Sequence, residues 1–100
     1  MNDYDQEKWY DLYKTAMLGL DRCHTGRIGD ARTEIASRLE ILKQHPALHQ
    51  HEYQAIQDAL HNLLLLEKQE ARLAAEDQKR LLEEATQKLQ ALAPKFQEPN

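Results

Sequence analysis

The stretch that decides the fold is Ala47–Ala93, ALHQHEYQAIQDALHNLLLLEKQEARLAAEDQKRLLEEATQKLQALA, which contains neither glycine nor proline. Inside a helix, glycine costs about 1 kcal/mol and proline about 3 kcal/mol, whereas the alanine, leucine, glutamate, glutamine, lysine and arginine that dominate this stretch cost little. We therefore predict one helix over 48–93, roughly 70 Å long at about 1.5 Å per residue. The alternative is a break near 67–80, where charged residues prevail.

Two shorter helices are predicted before this stretch, over 3–25 and 28–44. Their apolar residues recur at the spacing of one helical face, and Met17 and Leu18 widen the face of the first helix. We predict that Gly26 ends the first helix as its left-handed cap, and that Pro46 closes the second because the residue before a proline is pushed out of helical geometry. The predicted core residues are Trp9, Leu12, Tyr13, Ala16, Leu20, Ile28, Ala31, Ile35, Leu39, Leu42, Ile56, Leu60 and Leu63.

The composition predicts a single all-α domain over residues 1–100. Charged residues make up 30% of the chain and aromatic residues 6%, which is typical of helical bundles and coiled coils. We predict an antiparallel three-helix unit with a long C-terminal helix. If the chain turns within 67–80, the alternative is a four-helix up-down bundle.

An apolar stripe near the end of the chain has no obvious cover in a three-helix unit. An isolated amphipathic helix is only marginally stable, so the segment either folds back or pairs with a second copy. Between Asn62 and Ala93 there is no Gly, Pro, Asn or Ser to make a tight reversal, which favours pairing. The predicted interaction residues are Leu65 and Leu66, from the run of four leucines at 63–66, together with Leu82, Leu89, Leu92 and Phe96.

Charge and composition argue against several classes of partner. The net charge is −4 with interspersed signs, so we expect no nucleic-acid binding. No apolar run approaches the roughly 20 residues of a membrane span, and the N-terminus is acidic where a signal peptide would be basic, so we expect no membrane association. The lone Cys23 excludes an intrachain disulfide and fits a reducing cytoplasm.

The histidines offer the only hint of a metal site. His45, His49 and His51 lie close together in sequence and His61 follows, but no His-Glu-x-x-His pair and no second cysteine accompany them. Cys23 beside His24 is not a nucleophile with its base, because adjacent helical residues point about 100° apart. Phosphate-binding glycine loops are absent from the sequence. We therefore expect no metal, no cofactor and no enzymatic activity.

The first forty residues contain Trp9-Tyr10-Asp11-Leu12-Tyr13, with Ala16, Leu18, Leu20 and Asp21, then Arg27-Ile28, Ala31, Ile35 and Arg38-Leu39. This pattern resembles one in a group of short uncharacterised bacterial all-helical proteins, to which no function is attached.

A second pattern consists of Leu18-Gly19, Gly26, Ile28, Ala31 and Ile35. It resembles one tetratricopeptide-type hairpin, a family that implies peptide binding. Thr15 and Arg22 stand where that family prefers aromatic residues, and a single hairpin cannot form its groove.

Three functional hypotheses follow. The leading one is a small non-catalytic interaction or assembly protein, a homodimer through its C-terminal helix that also presents a surface to an unknown protein partner. The alternative is a partner-binding chaperone or antitoxin-like regulator that binds its target by helix-in-groove contacts. The third, a metal-binding protein, depends on the histidines alone.

Overall fold

The computed structural model describes residues 3–24 and 31–97, and within them the side chains of 6–23, 32–69 and 71–97. The described residues form four α-helices: α1 (Asp3–His24), α2 (Ala31–Leu42), α3 (Gln50–Gln69) and α4 (Ala75–Gln90). A 3₁₀ turn over Glu70–Arg72 connects α3 to α4. No strand occurs in these ranges, so the predicted all-α class is confirmed. The predicted helix boundaries at 25 and 28 lie outside the described residues.

The stretch from 47 to 93 forms two helices instead of a single helix over 48–93, and the break between them lies within the interval 67–80 that the sequence offered as the alternative. The chain leaves helical geometry at Ala74, which is extended with φ −64° and ψ 152°. The side chain of Gln78 donates a hydrogen bond to the carbonyl of Leu73, 3.1 Å away, and stabilises the reversal. The reversal places the apolar stripe of α4 in the core. Burying one leucine contributes about 2 kcal/mol, so a few such residues outweigh the helical hydrogen bonds lost at the turn.

The four helices pack in a closed ring. α1 and α2 are antiparallel, because Gly19 lies beside Ile35 at one end of the pair and Trp9 beside His45 at the other. α3 and α4 are also antiparallel, as the contact between Asn62 and the carbonyl of Leu81 shows. α2 packs on α3, and α1 packs on α4 to complete the ring.

The core lies inside this ring and contains most of the predicted core residues. Trp9 and Leu12 are partly buried and pack against it. Ile28 lies outside the described residues, as does the side chain of Ala31. The other predicted core residues are buried: Tyr13, Ala16, Leu20, Ile35, Leu39, Leu42, Ile56, Leu60 and Leu63.

Tyr13 joins the first helix to the last. Its hydroxyl donates a buried hydrogen bond of 2.6 Å to the carbonyl oxygen of Leu89. That carbonyl belongs to the last turn of α4, where carbonyl groups lack an amide partner four residues on, and it also accepts a hydrogen bond of 3.0 Å from the Leu92 amide. The Tyr13 ring also stacks on Phe96, with 5.1 Å between ring centroids. The end of α4 is thereby fixed against α1.

Gly19 allows the close approach of α1 to α2, and we expect Gly19→Ala to destabilise the protein. The added Cβ would lie 2.6 Å from Cγ1 of Ile35. Overpacking of this kind costs about 1–3 kcal/mol, against about 1 kcal/mol gained in helix propensity. Urea denaturation should show a net loss of about 1 kcal/mol. In an Ile35→Ala background, which lacks the γ carbons, Gly19→Ala should instead stabilise; the same loss in both backgrounds would contradict this explanation.

Ala74 is the N-cap of α4 and makes no side-chain capping hydrogen bond. We expect Ala74→Ser to stabilise the protein by about 1 kcal/mol, because a serine hydroxyl can accept a hydrogen bond from the first turn of a helix. The corresponding rise in melting temperature is about 4–8 °C. Serine inside a continuous helix is less favourable than alanine, so a lower melting temperature would argue for an unbroken helix through residue 74.

Candidate protein-binding groove

The residues predicted to mediate self-association lie mostly inside the molecule. Leu66, Leu82, Leu89, Leu92 and Phe96 are buried within the described core. Leu65 is half-buried. The reversal at 70–74 covers this stripe with the chain's own α1 and α3. The prediction that these residues form an exposed interaction surface is therefore corrected.

An open groove of about 620 Å³ lies between α3 and α4. On α3 the lining residues His51, Ala55, Asp58 and Asn62 recur every three or four positions, which places them on one side of the helix, and Glu52 and His61 adjoin them. The antiparallel α4 supplies the opposite wall. The groove is lined by His51, Glu52, Ala55, Asp58, His61, Asn62, Glu84, Gln87, Lys88, Ala91 and Leu92.

An ion pair crosses the middle of the groove. The ammonium of Lys88 lies 3.2 Å from Oδ2 of Asp58, and Nε2 of Gln54 donates a hydrogen bond to the other carboxylate oxygen at 2.9 Å. The hydrogen bonds from Gln54 and Lys88 hold the pKa of Asp58 below its ordinary value. Asp58 is therefore ionised at neutral pH and presents a fixed negative charge to the groove.

Asn62 ties the two walls together one turn further along. Its Nδ2 donates to the carbonyl oxygen of Leu81 at 3.2 Å and lies 3.4 Å from Oε2 of Glu84. The bond to Leu81 is between a side chain and the main chain, so it fixes the distance between α3 and α4. Glu84 is exposed, and its carboxylate adds a second negative charge near Asp58.

Glu52 occupies the other end of the groove at the start of α3. Its Oε1 accepts a hydrogen bond of 2.8 Å from the His49 amide. This is one of the two hydrogen bonds of a capping box, the one in which the third residue of a helix reaches back to the amide of the N-cap residue. The ammonium of Lys95 lies 3.3 Å from the same oxygen. Burial raises the pKa of Glu52, but the His49 amide and Lys95 together lower it below its ordinary value. Glu52 therefore both caps α3 and attaches the segment after α4.

The groove is acidic and has small residues in its walls. It contains three carboxylates, of which Glu52 is paired with Lys95 and Asp58 with Lys88, so the negative charge that stays open to a partner is mainly that of Glu84. Ala55 and Ala91 leave room between these charged groups, one from each side of the groove. Such a surface can bind a cationic group, or a segment that carries several, through charge-assisted hydrogen bonds.

The histidines singled out in the sequence are dispersed. His49 and His51 have nearly parallel rings with centroids 5.9 Å apart, and His61 lines the groove. His45 instead contacts Trp9 and Phe96, at 4.9 and 5.5 Å between ring centroids. Across residues 3–24 and 31–97, no group of three or more His, Cys, Asp or Glu side chains converges as a metal site would require.

Cys23 is buried in the core, where burial raises the pKa of its thiol despite the opposing charge of Arg32. A thiol in this environment is a poor nucleophile, because the thiolate is the reactive form.

In the described part of the chain, no helix has both the length and the apolar character needed to cross a membrane. No protein-family model, no curated protein and no solved structure gives a significant match to the chain. The resemblance of the first forty residues to short bacterial helical proteins stays a prediction.

The ring of His45 makes the fold sensitive to mild acid. Burial, and then the nearby charge of Lys95, lower its pKa below the ordinary value of about 6.5. The unfolded chain thus binds this proton more readily than the folded chain, and stability falls as the pH drops below about 6.5. The lowered pKa of Glu52 adds a separate loss below its own ordinary value, about 4.3.

We expect the melting temperature to fall between pH 7 and pH 5.5, and His45→Asn to remove most of this slope. Asparagine keeps an acceptor for the Ala47 amide, which donates to Nδ1 of His45 at 3.0 Å. His51→Gln is the matched control at an exposed position and should keep the slope. Thermal unfolding followed by circular dichroism measures the melting temperature at each pH. If His45→Asn keeps the same pH dependence of the melting temperature, another titrating group is responsible for it.

Proposed function

We propose that this chain is a small non-catalytic protein–protein interaction protein that binds a basic helical segment of a partner in the groove between α3 and α4. The observation that carries the proposal is the groove itself, with a volume of about 620 Å³. A groove between two antiparallel helices can accommodate a third helix. Helix-in-groove contacts are also part of the alternative hypothesis, a chaperone or antitoxin-like regulator, but there the C-terminal half of this chain orders on its target, whereas here this chain supplies the groove.

The dimensions of the groove favour a short helix as the occupant. Its α3 wall runs from His51 to Asn62, about 17 Å at 1.5 Å per residue, which is about three helical turns. Side-chain ridges of a third helix can enter the space between two packed helices. Ala55 and Ala91 have short side chains, so the backbone of the incoming helix can approach closely.

The charges of the groove favour a basic occupant. Glu84 on the α4 wall can accept a lysine or arginine of the partner, which would compete with Lys88 for Asp58 on the α3 wall. Each exposed ion pair contributes up to about 1 kcal/mol and is weakened by salt. The partner's apolar residues must supply the rest of the affinity. We therefore expect moderate, salt-sensitive binding.

Self-association through Leu82, Leu89 and Leu92 loses its support, because these residues are buried in the chain's own core. The proposed groove uses none of their side chains except the edge of Leu92. A cytoplasmic setting suits the proposal, since the lone Cys23 needs no oxidising compartment.

Charge reversal in the groove tests the proposal. The probe is an amphipathic helical peptide of about three turns with lysines on its polar face, and an otherwise identical peptide with glutamates is the comparison. We expect the lysine peptide to bind and Glu84→Lys to weaken its binding about tenfold, which corresponds to about 1.4 kcal/mol. Fluorescence anisotropy gives the Kd.

The neighbouring residue provides a matched control. Glu83 is exposed, does not line the groove and pairs with Lys79 at 4.0 Å on its own helix. Glu83→Lys makes the same change in net charge and should leave the Kd within about twofold. The side-chain amide NMR signals of Asn62 and Gln87 should shift on binding. Equal weakening by both variants, or no shift of these amides, would show that binding is nonspecific and contradict the proposal.

A further inference from the structure

The residues that follow α4 return to the body of the protein as a C-terminal hook, residues 93–97. The amide of Lys95 donates to the carbonyl of Leu92 at 2.9 Å, which is a turn and not a continuation of the helix. Pro94 has no amide hydrogen, so the hydrogen-bond ladder of α4 cannot run through it. The position of the hook therefore depends mainly on what its side chains contact in other elements.

Two side chains hold the hook in place. Phe96 is buried and, in addition to its stacking on the first helix, meets the ring of His45 edge-on with 5.5 Å between centroids. The ammonium of Lys95 donates a hydrogen bond of 2.8 Å to the carbonyl oxygen of Ala47 and lies 3.3 Å from Oε1 of Glu52. The hook is thus attached to α1, to the turn between α2 and α3, and to the start of α3.

The turn between α2 and α3 requires His45 in its neutral form. The amide of Ala47 donates a hydrogen bond of 3.0 Å to Nδ1 of His45, while the carbonyl of the same residue accepts from Lys95. One residue therefore connects the imidazole ring to the ammonium of the hook. A protonated imidazole has no acceptor, because both of its nitrogens then carry hydrogen. Protonation of His45 breaks the bond from Ala47 and disturbs the turn that presents the acceptor for Lys95.

The charges that act on His45 from the hook and from α3 are those of Lys95 and Glu52. The carboxylate of Glu52 is already engaged by the ammonium of Lys95 and the amide of His49. Lys95, and not His45, therefore takes up its negative charge. A proton on His45 would place a second cation beside Lys95 in a partly buried site.

The other elements around the ring supply no free carboxylate among the contacts described. On α1 the ring of His45 packs on Trp9 with 4.9 Å between centroids, and the charged group over that indole is the ammonium of Lys8. On the segment of His45 itself, Lys43 and Glu40 pair with each other at 3.0 Å. The surroundings of the ring therefore favour its neutral form.

We propose that the C-terminal hook is an acid-released clasp, docked on the neutral ring of His45 at neutral pH and released when that ring is protonated, while the helices stay folded. Release exposes Phe96 and the face of the Tyr13 ring that Phe96 covers. It also separates Lys95 from Glu52 at the end of the groove between α3 and α4. The clasp works in the free chain, so it does not depend on peptide binding.

The direction of the pH effect follows from the two states of His45. With the hook released the ring is in water and has its ordinary pKa of about 6.5, whereas burial and Lys95 lower the pKa of the docked ring. The released state binds the proton more readily, so docking is fully favoured above about pH 6.5 and weakens as the pH falls below it. One proton can shift this equilibrium by up to about tenfold between pH 7 and pH 5.5.

Amide hydrogen exchange followed by NMR at pH 7 and pH 5.5 measures release, as protection factors corrected for the intrinsic pH dependence of exchange. We expect the amides of Lys95 and Phe96 to be at least about tenfold less protected than that of Leu63 in α3, because the hook opens while the core stays closed. Their protection should fall a further threefold to tenfold, roughly, between pH 7 and pH 5.5. Circular dichroism at both pH values establishes that the helices stay formed.

The opposite end of the α3–α4 hairpin provides an internal control. The amide of Gln78 donates to the carbonyl of Ala74 at 3.0 Å and opens without moving His45. Its protection should therefore stay within about twofold between the two pH values.

His45→Asn tests the origin of the pH effect. It removes the ring contacts and lowers protection of the hook at both pH values, so the readout is the ratio between them, which should stay within about twofold. His51→Gln, at an exposed position, should keep the full fall.

Lys95→Met tests the attachment of the hook without changing His45. It should lower the protection of the Phe96 amide already at pH 7, because the ammonium between Ala47 and Glu52 is lost. Lys68→Met is the matched control, since Lys68 is exposed at the far end of α3, and it should leave that protection unchanged.

Equal protection of the hook and of Leu63 overturns the proposal, because the hook would then open only when the whole protein unfolds. A fall that persists in His45→Asn, an equal fall at Gln78, or no fall at Lys95 and Phe96 overturns it as well. None of these measurements uses a peptide, so they fail or succeed independently of binding in the groove.

Discussion

The hydrogen bond from the Tyr13 hydroxyl to the Leu89 carbonyl connects the first helix to the last, and the arrangement of the other elements depends on this closure. Both groups are polar and lie in the core, where an unsatisfied donor or acceptor costs about 1–3 kcal/mol. The Leu89 carbonyl satisfies the Tyr13 hydroxyl and also accepts a hydrogen bond of 3.0 Å from the Leu92 amide, and the Phe96 ring stacks on the Tyr13 ring. With α4 held against α1, its leucines face inward and its charged side forms one wall of the groove with α3.

Local periodicity is enough to predict the all-α class and most of the core. Ala16, Leu20, Ile35 and Leu39 follow the helical repeat closely, and all are buried. The reversal at Ala74 cannot be predicted in the same way, because the turn contains no glycine, proline, asparagine or serine. It is stabilised by burial of leucines more than seven residues away, which is a tertiary effect that overrides the helical preference of the local sequence.

The candidate groove escapes sequence-based prediction for a related reason. Its α3 residues are small or polar at helical spacing, a pattern that normally indicates a solvated face. The antiparallel alignment is what brings Lys88 to Asp58 and Asn62 to the Leu81 carbonyl, across 30 and 19 residues of sequence. For Leu18 the prediction fails in the other direction. Periodicity places Leu18 at the border of the apolar stripe of α1, but in the fold its side chain is exposed. Periodicity identifies a broad apolar face but does not show where its edge meets solvent.

The contact between α1 and α4 also has a consequence for how the protein is made. The two helical hairpins, α1 with α2 and α3 with α4, join segments that are close in sequence. They can form early during synthesis, because closing a short loop costs little conformational entropy. The core cannot close until the ribosome has delivered Leu89 and Phe96, the last partners of Tyr13. Until then the nascent chain exposes Leu20, Ile35 and Leu63 to other proteins, so the final helix determines how long the chain needs protection from aggregation.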